Sequence, residues 1–65
     1  MKPLIGSIIK DSGYRKNFIA EQMETSPSQL SAWIAGRATP PLIKARRLAR
    51  ILGVQIDDLY DWGDE

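Results

Sequence analysis

Sixty-five residues with 43% apolar content allow one domain, near the lower limit for a chain that folds on a hydrophobic core alone. Cysteine and histidine are absent, which excludes disulfides, thiolate metal sites, a cysteine nucleophile and the usual general base. The formal net charge of +1 conceals an asymmetry: residues 1–56 carry all nine Lys and Arg against Asp11, Glu21 and Glu24, a balance of +6, and the five remaining carboxylates fall at Asp57, Asp58, Asp61, Asp64 and Glu65.

A basic body with an acidic end suits a polyanionic partner, and it equally suits a solvated surface of mixed charge. No apolar run approaches the ~20 residues of a membrane span, and the N-terminus lacks the apolar region of a signal peptide. A cytoplasmic location is expected, which the absence of cysteine fits. The aspartates at 57, 58 and 61 lack the spacing of a calcium loop, so capping and solvation account for them and no metal or cofactor is expected.

In chain order, Leu4 to Gly13 places apolar residues at 4, 5, 8 and 9, one face of a helix, with Pro3 suited to its first turn and Gly13 to its end. Lys16 to Glu24 puts Ile19, Ala20 and Met23 on one stripe, a second helix. Ser26 and Pro27 then form a start signal, serine as N-cap and proline at the first helical position. The third helix, Pro27 to Ala35, presents Leu30, Trp33 and Ile34 inward and is closed by Gly36. Phe18 and Ile34 either extend the core or form an apolar patch for a partner.

Thr39 is a candidate N-cap for the fourth helix, Leu42 to Leu52, whose apolar residues at 42, 45, 48, 49 and 52 give the clearest amphipathic pattern in the chain. Its Lys44, Arg46, Arg47 and Arg50 are expected on the solvent side. Gly53 stops it, and "VQIDDLY" reads as a short fifth helix with acidic residues in its first turn, where the helix dipole favours them. No strand-like alternation is visible. The prediction is a compact all-α domain of five short helices over residues 1–60, followed by an acidic tail, 61–65.

Helices two and three are separated by Thr25 and Ser26 alone, the spacing of a helix-turn-helix unit. Here the chain resembles the Cro- and lambda-repressor-like, or XRE, helix-turn-helix family. The resemblance rests on Ile19-Ala20, on Ser26, Leu30 and Trp33, on Gly36-Arg37 and Pro40, and on "LARILGVQIDDL" from Leu48 to Leu59. Three positions depart from the family's habit: Glu24 replaces a turn glycine, Arg15 a capping threonine or serine, and Lys16 a glutamine. Glu24 must either adopt a left-handed conformation or extend the second helix.

The resemblance implies a lambda-repressor-like fold whose third helix enters the major groove of double-stranded DNA, although it carries no cation. Phosphate contacts supply affinity and base edges supply specificity, so the two tasks can fall to different residues. Pro27, Ser28, Gln29, Ser31 and Ala32 are the base-reading candidates: Gln29 can bond adenine N6 and N7, Ser28 can donate or accept, and Pro27 or Ala32 can pack on a thymine methyl. Lys16, Asn17, Ser26, Arg37 and Thr39 are the phosphate-binding candidates. Without an arginine–guanine fork, an A/T-biased site is expected.

The implied function is a sequence-specific transcriptional regulator, a repressor or Cro-like switch protein of a bacterium, phage or mobile element, acting as a homodimer that is weak or completed on DNA. Tyr60 and Trp62 are the candidate dimer contacts; Trp62 has two further alternatives, folding back on the core or hanging free. The alternative function is an antitoxin- or antirepressor-like module that acts through a protein partner, with the acidic tail as its contact. No nucleophile–base pair can be assembled from these residues, so an enzyme is not expected.

Overall fold

A computed structural model describes residues 1–63; Asp64 and Glu65, two of the three carboxylates in the expected acidic tail 61–65, lie outside the described residues. The elements in order are β1 (Lys2–Pro3), α1 (Ile5–Ser12), α2 (Lys16–Gln22), α3 (Pro27–Ala35), α4 (Leu42–Leu52), a 3₁₀ turn (Ile56–Leu59) and β2 (Tyr60–Asp61). Among the described residues four α-helices are thus present where five were expected, together with a small sheet that the sequence did not signal.

The sheet ties the two ends of the fold together. β1 pairs antiparallel with β2, Lys2 opposite Asp61 and Pro3 opposite Tyr60, and the Leu4 N–H continues the ladder to the Leu59 carbonyl at 2.8 Å. Pro3, expected in the first turn of α1, lies in this strand instead; a proline has the φ for extended backbone and suits a sheet edge, where it owes no N–H. The helix starts two residues later and takes Leu4 as an N-cap without a side-chain hydrogen bond.

The expected fifth helix shrinks to one 3₁₀ turn for the same reason. Leu59 must reach the core, and Tyr60 must then be extended (φ −138°, ψ 149°) to pair with β1. Only four residues remain for the helix, enough for i→i+3 bonding and no more. Asp58 fixes the turn by accepting the Gln55 N–H at 3.0 Å.

Ile5 and Ile9 of α1, Ile19, Ala20 and Met23 of the α2 stretch, Leu30 and Trp33 of α3, and Ala45, Leu48 and Ala49 of α4 share one core, which Leu59 and Tyr60 close. From Ala45 onward the apolar face of α4 is the one its periodicity announced, whereas Leu42, expected on that face, is exposed because it stands at the helix start beyond the core. Its start differs: Pro41, not Thr39, is the N-cap, again with no side-chain bond. Each proline pushes the residue before it toward extended backbone, so Pro40-Pro41 delays the helix until Leu42.

Candidate nucleic-acid interface

α2 and α3 meet through a turn of unusual composition. Left-handed glycines, Gly13, Gly36 and Gly53, close α1, α3 and α4, but at the end of α2 the left-handed residue is Glu24, at φ 55°. The hydrogen bonds are those of a glycine-type helix end: Thr25 N–H donates to the Ala20 carbonyl at 3.0 Å and Glu24 N–H to that of Glu21 at 3.1 Å. Of the two conformations open to Glu24, the left-handed one is adopted, and α2 ends at Gln22 instead of running to Glu24.

Two side chains from α4 support this turn. Lys44 Nζ donates to the Met23 carbonyl at 2.7 Å, placing a cation at the negative end of the α2 dipole. Arg47 Nη1 meets Glu24 Oε2 at 3.0 Å. Both residues were expected to line the solvent side of α4. Arg46 and Arg50 do face solvent; Lys44 and Arg47 are half-buried against the turn because α4 packs across the end of α2.

α3 begins as its sequence dictates. Ser26 is extended and its Oγ accepts the Gln29 N–H at 3.1 Å, with Pro27 at the first helical position. That bond leaves the hydroxyl proton of Ser26 available to an external acceptor. Leu30 and Trp33 are buried, which fixes the helix's rotation. Pro27, Ser28, Gln29 and Ala35 are exposed, and Ser31 and Ala32 half-exposed. The outer face of α3 is therefore shallow and uncharged, with Gln29 its largest side chain.

Cations lie on either side of that face. Lys16 and Asn17 open α2 and are exposed; Arg37 and Thr39 follow α3 and are exposed. Gly36 ends α3 at φ 83°, with Arg37 N–H donating back to the Ala32 carbonyl at 3.0 Å, so the Arg37 backbone is held while its side chain faces outward. Arg15, read from sequence only as a missing cap, sits at the N-cap position of α2 with no side-chain cap bond and adds a third exposed cation beside Lys16. A cation in a capping position was the signal available for it.

The C-terminal aromatics are used within the chain. Tyr60 is 8% exposed, in the core. Trp62 folds back: its ring lies 5.7 Å from that of Tyr60, and its Nε1 donates to the Asp57 carbonyl at 3.0 Å. Burial raises the pKa of the Tyr60 hydroxyl, and the Thr39 hydroxyl beside it offsets part of the rise without reaching hydrogen-bonding geometry. Phe18 stays outside the core, stacked at 5.2 Å on Tyr14, whereas Ile34 packs partly into it. Leu42 and Ile43, at 75% and 76% exposure, form an apolar pair at the start of α4 that periodicity had assigned in part to the core.

Comparison with curated proteins and with solved structures gives no match. A family model described as "Helix-turn-helix" matches residues 5–59, most of the chain and every helix just described. With that match and the α2–turn–α3 geometry together, the chain belongs to the Cro- and lambda-repressor-like (XRE) helix-turn-helix family, a family of DNA-binding regulators.

Proposed function

We propose that the protein is a sequence-specific double-stranded DNA-binding repressor or Cro-like switch protein of a bacterium, phage or mobile element. The observation that carries this reading is the division of charge around α3. Its outer face holds only Pro27, Ser28, Gln29, Ser31, Ala32 and Ala35, while Lys16, Asn17, Arg37 and Thr39 are exposed on the flanking segments. In this motif the start of the second helix of the unit enters the major groove. Small side chains let it lie deep, Gln29 and Ser28 read base edges, and the flanks and Ser26 hold phosphates. Few hydrogen bonds are on offer, so each half-site is read modestly, with an A/T bias, and a second subunit or DNA shape supplies the rest. Trp62, 40% exposed, is the remaining aromatic for a dimer contact, since Tyr60 is enclosed.

Selection of bound duplexes from a randomised pool at physiological salt tests the reading. An enriched inverted repeat is expected; a site dominated by G·C pairs would remove the A/T bias, and no enrichment would remove the DNA reading itself. Gln29→Ala should relax one position of the selected site, at about 1–3 kcal/mol of discrimination. Lys16→Ala should weaken all sequences alike and lower the salt slope by about one.

One observation favours a second reading, a module acting through a protein partner. Leu42 and Ile43 stand exposed beside Arg46 and Arg50, an apolar pair in a basic setting. Duplex binding indifferent to Lys16→Ala and Arg37→Ala, with a stable protein complex lost on Leu42→Ser, would favour that reading.

A further inference from the structure

Beside the candidate DNA face, between α1, the α1–α2 loop and the end of α3, lies an open groove of about 510 Å³. That volume is within the range of small-molecule sites, roughly 300–1,000 Å³. Ile9, Ile34 and Gly6 supply its apolar surface. A Cβ on Gly6 would stand 2.9 Å from Ile34 Cγ2, so it is the missing side chain that lets α3 lie this close to α1 and leaves Ile34 lining the groove. Lys10, Arg15 and Lys16 line the groove as well, and no carboxylate does. Among the described residues the one ion pair is Arg47–Glu24, past the other end of α2, so none of these three cations is neutralised there.

Three cations around an apolar surface select a particular chemistry. A bare inorganic anion would leave Ile9 and Ile34 uncovered, and a neutral apolar molecule would cover them without meeting the charges. An amphipathic anion satisfies both. We propose that the groove binds an amphipathic carboxylate, its head among Lys10, Arg15 and Lys16 and its apolar body over Ile9 and Ile34, and that its occupancy excludes duplex DNA. The exclusion rests on the DNA-binding reading above, because Lys16 and Asn17 line the groove and are also the proposed phosphate contacts at the start of α2. The groove would then make DNA release responsive to a small metabolite through the DNA-binding domain itself.

Octanoate is the probe. Titrated into methyl- and amide-labelled protein without DNA, it should give saturable shifts at the Ile9 and Ile34 methyls and the Lys10 to Asn17 amides. Octan-1-ol at equal concentration should not. Lys10→Gln, at an exposed position outside the proposed DNA contacts, should weaken octanoate binding about two- to fivefold, the share of one exposed charge. With octanoate at tenfold its own Kd and ionic strength held constant, the apparent Kd for a selected duplex should rise about tenfold by mass action. Absence of saturation, an equal response to the alcohol, or indifference to Lys10→Gln overturns the site. Octanoate binding with an unchanged duplex Kd overturns the exclusion. If no duplex binds at all, the DNA reading and the exclusion fall together, and the shifts alone decide the groove.

Discussion

Two turns flank α3, and each ends the helix before it with the same hydrogen-bond pattern around different residues. At the end of α3 the left-handed position holds Gly36; at the end of α2 it holds Glu24. Glycine adopts that conformation freely, whereas an L-residue with a side chain is destabilised there by about 1–2 kcal/mol. The first turn is thus self-sufficient, and the second depends on partners brought from α4. Lys44 binds the Met23 carbonyl and Arg47 binds the Glu24 carboxylate, so the joint between the two helices of the helix-turn-helix unit is clamped by a third helix. A local rule broken in sequence has been compensated by a tertiary contact.

The comparison breaks most visibly if glycine's place is taken away where nothing else supports it. Gly36→Ala keeps φ at 83° unfavourable and sets a Cβ 3.2 Å from Pro3 Cγ, against the strand that joins the chain's ends. A loss of about 1–2 kcal/mol is expected in urea unfolding, which for a domain this small is a fall of about 5–10 °C in Tm. A loss well below 0.5 kcal/mol, on the order of an ordinary surface change, would mean that the left-handed turn after α3 is not fixed.

The next effect is at the clamp. Lys44→Met removes a charge-assisted bond to a helix-terminal carbonyl while keeping most of the apolar stem, and a loss of about 1 kcal/mol is expected. Hydrogen exchange should rise first at the amides of the α2–α3 turn, Glu24 and Thr25. Unchanged exchange there would separate α4 from the turn and undo the comparison.

Glu24→Gly reverses the sign. It relieves the left-handed strain but gives up the Arg47 pair, whose 42% and 77% exposed side chains make it worth little, about 0–1 kcal/mol. A net gain of about 0.5 kcal/mol is expected. High salt screens the ion pair and leaves the strain, so the advantage of the glycine variant should grow between low and molar salt. A gain that shrinks with salt would show that Arg47 contributes to the wild-type turn otherwise than through charge.

These same residues mark where sequence was informative. The start of α3 and the ends of α3 and α4 followed from a serine cap, a proline and two closing glycines, and the core stripes followed from their period except at Leu42, which is exposed. Glu24 was readable as a conflict with two resolutions, because the left-handed choice depends on what faces the turn. Lys44 and Arg47 were not readable, since periodicity places a residue on a helix face but not beside another helix's end. The pairing of residues 2–3 with 60–61 was equally hidden: two residues are too short for any alternation, and their separation spans nearly the whole chain. Of the candidate interface, exposure agrees with the outward assignment of Pro27, Ser28 and Gln29 and of Lys16, Asn17, Arg37 and Thr39, and only halfway with Ser31 and Ala32.

The smallest effect probes how tightly the loop after Gly36 is closed. There Thr39 lies beside the enclosed Tyr60 hydroxyl, which has no hydrogen-bond partner. Tyr60→Phe removes a polar atom whose water contacts are already lost, so at neutral pH stability should change by no more than about 0.5 kcal/mol. The difference should emerge only in alkali. Burial holds the phenol's pKa above its ordinary 10.0 in the folded chain, so the unfolded chain releases the proton first as pH rises. Tyr60's contribution is therefore intact below pH 10 and declines as pH climbs from 10 toward the raised folded value. Every other group is common to the two proteins, so the wild-type-minus-variant difference isolates Tyr60. Thermal unfolding at pH 8 and above pH 10 should show the wild type losing more stability than Tyr60→Phe. Parallel losses would mean that water or Thr39 reaches the hydroxyl, and that the loop after α3 opens more readily than the clamped turn before it.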